Sequence, residues 1–115
     1  MTAPVDSANN PIGTEMVFED EHVRIWRIDL QPGEVAALHT HILDYTTVVV
    51  EGSIVERPNG DGTVDRIEVK PGDFMRWHQG TQTHSLRNIG PGRFRNVIIE
   101  MKSLPADYEH RGAAS

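Results

Sequence analysis

At 115 residues, 37% of them hydrophobic and 24% charged, the chain is the size of one domain and has the composition of a folded globular protein rather than a disordered one. It has no cysteine, which excludes a disulfide scaffold, a cysteine-ligated zinc site and a cysteine nucleophile; no apolar run approaches the roughly 20 residues that span a bilayer. The net charge of −6 comes without a basic block, so neither nucleic acid nor an anionic membrane is an expected partner.

In chain order, residues 1–15 hold two prolines, two asparagines, a serine and a glycine, and read as an irregular arm. No charged-then-apolar leader is visible there, so a cytoplasmic location is expected. From residue 16 to 103 the pattern is that of an all-β domain. Val23 to Ile28 alternates with apolar residues on both faces, and Thr46 to Glu51 (TTVVVE) is β-branched and short. Ser53 to Arg57, Thr63 to Val69, Phe74 to His78, Ser85 to Asn88 and Phe94 to Met101 are further strand candidates. Turn residues separate them at Gln31-Pro32-Gly33, Glu51-Gly52, Asn59-Gly60-Asp61-Gly62, Pro71-Gly72-Asp73 and Gly90-Pro91-Gly92. Short strands so punctuated predict a sandwich or barrel with little helix. Residues 104–115 read as a frayed tail.

Histidine placement carries the chemistry. His39 and His41 are two apart, and residues i and i+2 of an extended chain share a face. If the chain stays extended through residue 45, Tyr45 shares that face too. Imidazole suits zinc, iron, copper and nickel. A lone His-x-His is as readily a pair of exposed strand histidines, but His84, after the turn-rich stretch Gln79 to Thr83, supplies a third imidazole from a distant strand. Three such ligands leave positions open on an ion for water, oxygen or substrate.

At this point the chain resembles the cupins. Gly33, five residues, His39-Thr40-His41, three residues, Tyr45, six residues and Gly52 follow the spacing of that family's first motif. Gly72, five residues, His78-Gln79-Gly80, three residues, His84, three residues and Asn88 follow the second. The likeness covers residues 17–101. There are three departures: Tyr45 stands where the family has a glutamate ligand, His78 where it has a proline, and the interval between Gly80 and His84 is one residue longer. The resemblance implies a double-stranded β-helix (jelly-roll) barrel of roughly nine to eleven strands, one divalent metal on His39, His41 and His84, and a homodimer. With the glutamate lost, it implies a three-His site. It permits the chemistry of three-His iron cupins, dioxygenases that cleave diketones or oxidise thiols. Fe(II) is therefore the favoured cofactor, with zinc, nickel or manganese as alternatives. The expected substrate is a small polar or anionic molecule that chelates through oxygen. A redox-neutral isomerase, lyase or cyclase is the alternative, and a non-catalytic metal- or ligand-binding module stands beside both.

Seven further residues invite a role, each with a plainer reading. Asp44 is one residue too early for the glutamate position and points to the other face. Tyr45 can hydrogen-bond a substrate or pack. His78 can shuttle a proton or simply occupy a turn. Glu100, in the apolar strand Val97 to Met101, needs a partner or a role as general base if it faces inward. Trp26 can line the substrate pocket or belong to the core. Arg76 and Arg95 can clamp a substrate carboxylate or pair with surface acids.

Overall fold

The computed structural model describes residues 11–77 and 81–102. The expected tail over 104–115, most of the expected arm, and His78 lie outside the described residues. Nine strands follow one another: β1 (Glu15–Glu19), β2 (Val23–Leu30), β3 (Val35–His41), β4 (Asp44–Glu51), β5 (Ile54–Pro58), β6 (Val64–Glu68), β7 (Phe74–Trp77), β8 (Gln82–Asn88) and β9 (Phe94–Met101). Turn chemistry sets their ends. Gly33 at φ 87° lets Glu34 N donate to Gln31 O (3.0 Å) between β2 and β3. Gly72 at φ 90° does the same between β6 and β7, where Asp73 N donates to Lys70 O and the Asp73 carboxylate accepts from Lys70 N.

All strand pairs are antiparallel. One sheet has the order β1-β2-β9-β4-β7 and the other β3-β8-β5-β6. The two inner faces make the core, as in a closed double-layered sheet. β9 shows the rule most clearly: Phe94, Asn96, Ile98 and Glu100 are buried, while the residues between them are half-buried. Ile28, Leu30, Val49, Val55, Phe94 and Ile98 are all buried, each worth about 1.5–3 kcal/mol of apolar transfer. Among the described residues there is no helix, and so none long and apolar enough to cross a membrane.

The structure departs from the sequence reading in four places, the first being β1, an exposed strand paired with β2 that begins at the end of the expected arm. The chain is not extended from residue 39 to 45: β3 ends at His41 in one sheet and β4 begins at Asp44 in the other. Ile42, 70% exposed, sits at the corner where the chain changes sheets. Residues 82–84 form a strand rather than a turn, because β8 pairs with β3 through His41↔Gln82, Thr40↔Thr83 and His39↔His84. The Thr40 and Thr83 hydroxyls bond across that pair at 2.9 Å. Finally, the last described part of the arm is fastened. Ile12 is buried in the core, and Thr14 N donates to Arg27 O at 2.8 Å.

Candidate metal centre

The β3–β8 pairing places His39 opposite His84, and strand alternation puts His41 on the same inner face. All three rings are buried, at 1%, 1% and 7% exposure for His39, His41 and His84. Their centroids lie 4.7–4.9 Å apart, each ring edge-on to the others. One nitrogen of each falls within 4.8 Å of those of the other two, a grouping that can hold a metal ion. No carboxylate joins the group among the described residues.

The donor set fits an ion. His39 Nδ1 is 2.7 Å from Ala37 O, and a carbonyl only accepts. Nδ1 therefore carries the proton, and Nε2, buried without a partner, presents its lone pair. His41 Nε2 and His84 Nε2 are 3.1 Å apart. Two nitrogens about 2.0–2.1 Å from one ion at roughly 90–110° stand about 2.8–3.4 Å from each other, so this spacing suits shared ligation. Burial holds the rings neutral. It pushes His41 down to about 2 and His84 to about 3, assisted at His41 by His39 and His84 and at His84 by His39 and Arg57. Burial also lowers His39, partly offset by its bond to Ala37. Neutral imidazole is the ligating form.

The histidines line a cavity of about 520 Å³ between the sheets. Tyr45 is in the same cavity, 1% exposed, its ring stacked on His41 with centroids 4.0 Å apart. Its hydroxyl donates to Gln82 Oε1. Burial pushes that hydroxyl up to about 12, so it stays protonated at neutral pH, although the Arg57 charge pulls the other way. The remaining wall is largely apolar, with Val55, Val69, Met75, Leu86 and Phe94 among its residues, and Arg57 enters it from β5.

Of the residues expected at the site, the structure brings together His39, His41, His84 and Tyr45. Trp26, Arg76, Arg95 and Glu100 do not line the cavity. Arg95 lies between inward-facing Phe94 and Asn96, so alternation turns it outward, where its Nε stands 4.0 Å from Asp29 and 3.9 Å from Glu51. Arg76 is exposed for the same reason, between half-buried Met75 and Trp77. Trp26 packs against the core, and its Nε1 donates to Glu100 Oε1 at 2.7 Å. Glu100 faces inward, 2% exposed, with Arg24 3.6 Å away. It has the partner its burial demands, and burial raises its pKa. Two residues the sequence reading missed are Gln82 and Arg57. Strand parity points to Arg57, two after the buried Val55 within the expected strand Ser53 to Arg57, but not to Gln82, which falls in the stretch expected to turn.

No family model matches the chain, and no curated protein matches it. Solved structures do. A cupin domain from Bordetella pertussis Tohama I superposes with a TM-score of 0.70 at 21% identity, covering 86% of this chain and 100% of that one. A conserved double-stranded β-helix protein from Klebsiella pneumoniae gives 0.63 at 27% identity over 85% and 82% of the two chains. The polyketide cyclase RemF from Streptomyces resistomycificus gives 0.61 at 17% identity over 97% and 94%. An oxalate oxidase and a sugar phosphate isomerase share the fold as well.

Proposed function

For a chain with the cupin double-stranded β-helix fold, we propose a mononuclear metal-dependent enzyme acting on a small polar or anionic molecule, foremost a non-haem iron dioxygenase. The observation that carries this reading is the convergence of three buried, neutral imidazoles on one point of a cavity, with no carboxylate among them. His39, His41 and His84 would hold the ion. A ferrous ion held by three neutral ligands supplies sites for dioxygen and for a chelating substrate, with its charge uncompensated by the protein. The chain's own residues do the rest. The Ala37 carbonyl fixes the His39 tautomer. The Tyr45 ring holds the plane of His41, and its hydroxyl keeps its proton on Oη, directed at Gln82. The apolar wall excludes water and strengthens each polar contact made inside.

A redox-neutral cyclase or isomerase is the second reading. The coverage of a polyketide cyclase along nearly the whole of both chains supports it. Oxygen-electrode screens separate the two. Protein loaded with Fe(II) is mixed with diketones, thiols and catechols, and protein loaded with zinc, nickel or manganese is assayed under argon with ketones and sugar phosphates. Substrate-dependent oxygen uptake by the iron form is the expected result. Turnover under argon with no uptake in air overturns the dioxygenase in favour of the second reading.

A further inference from the structure

The cavity has one strong cation among its described lining residues, Arg57. Its guanidinium is clamped on one side only. Nε and Nη2 both donate to Asp65 Oδ2, at 3.3 and 2.7 Å, and Asn59 Nδ2 holds the same oxygen at 3.1 Å. The remaining nitrogen, Nη1, meets only the Met75 sulfur at 3.6 Å, and a thioether is a weak acceptor. Met75 lines the cavity, so Nη1 is presented to the cavity without an oxygen acceptor. Asn59, two residues beyond Arg57, forms a β-bridge with His84, which places Arg57 at the histidine end. The cavity's carboxylate, Asp73, is tied to the Lys70 backbone in its turn and so does not serve Arg57.

We propose that Arg57 is the substrate-recognition residue of this cavity, and that the molecule bound there is a small monocarboxylate with an apolar body. The proposal rests on the catalytic reading above for the word substrate, and on Arg57 alone for the binding. A carboxylate oxygen gives Nη1 the oxygen acceptor it lacks. One free donor and one charge, already balanced by Asp65, match a carboxylate rather than a phosphate dianion. Val55, Val69 and Leu86 give the apolar body a wall to cover. Asp65 is a positioning residue: by holding Nε and Nη2 it leaves Nη1 turned inward.

The test is calorimetry on metal-free protein with butyrate, hexanoate and benzoate, against hexanamide and inorganic phosphate. Wild type is compared with Arg57→Gln, Arg57→Lys and Asp65→Asn, each checked for folding by circular dichroism. Hexanoate or benzoate should bind at least about ten-fold more tightly than hexanamide or phosphate. Arg57→Gln should remove that preference and leave hexanamide binding unchanged. Arg57→Lys should recover part of it, since an ammonium keeps the charge and loses the fork. Should Arg57→Gln fail to fold, Arg57→Lys decides, expected to weaken carboxylates selectively. Carboxylate affinity equal in wild type and variants, no preference over the amide, or no carboxylate binding at all overturns the inference. Uptake of added Fe(II) or Zn(II) by the same preparations separates the two readings. Arg57-dependent binding by a protein that takes up no metal leaves this inference standing and removes the catalytic one. Metal uptake with Arg57-independent binding does the reverse.

Discussion

Tyr45 shows how one side chain can replace a ligand without becoming one. It occupies the position of a metal-binding glutamate in the cupin motif, yet its hydroxyl is spoken for by Gln82 and its ring lies flat on His41. Tyr45→Phe keeps the stack and strips Gln82 Oε1 of its donor. It should cost about 1–2 kcal/mol in urea unfolding and leave metal content unchanged; loss of the metal in that variant would make the phenol a ligand. The histidines themselves give a pH prediction for metal-free protein. Their folded pKa values lie below 6.5, so below that pH the unfolded chain takes up protons that the folded chain refuses. Their contribution to stability is therefore full above about pH 6.5 and falls as the pH drops; for His41 and His84, pushed down to about 2 and about 3, the loss is up to about 2 kcal/mol each at pH 5. Glu100, whose pKa is raised, acts with the opposite sign but is one group against three. Urea midpoints at pH 7.5 and pH 5 check this; equal midpoints would contradict neutral burial of the cluster.

At the scale of the element, glycine and asparagine hold the sheets in register. Gly52 follows β4 not for an unusual φ but because the β6–β7 connection crosses it: a Cβ there would clash with Val69 O and stand 2.9 Å from Lys70 Cα. Gly52→Ala should destabilise by about 1–3 kcal/mol, since backbone cannot give way as a side chain does; a neutral result by thermal unfolding would show the crossing to be loose. Asn88, wholly buried at the end of β8, donates to Leu30 O at 2.9 Å and Gly92 O at 2.7 Å, and accepts from Ser53 Oγ at 2.7 Å. It ties β2, β8 and the two turns beside β5 and β9. Asn88→Ala, which leaves buried groups unpaired, should cost about 2–4 kcal/mol. The elements were largely legible beforehand because alternation and turn residues are local signals, and Phe94–Met101 was read to the residue. β1, β3 and the first part of β8 were not: β1 is exposed along its whole length and shows no burial alternation, and β3 and the start of β8 are made strands by pairing across the chain. The same limit applied at the site. The histidine spacing named its own cluster, whereas Arg76 and Arg95 were offered as clamps on their charge, although their neighbours' alternation turns them outward. Arg57 and Gln82 reach the site by topology, from strands far along the chain.

Two sheets close around a cavity, largely apolar in its lining, that carries the histidine cluster. A polar cluster in such a setting is costly to bury unless an ion uses it, because His39 Nε2 has no partner among the described residues and His41 Nε2 and His84 Nε2 meet only each other. The central claim is therefore metal ligation by His39, His41 and His84. Its most direct test is elemental analysis of untagged protein, expressed with iron, zinc, manganese and nickel supplied and purified without oxygen, beside His84→Ala. Wild type should hold about one equivalent of a single transition metal, and the variant should lose most of it. No metal in wild type, or the same metal content in His84→Ala, would contradict it.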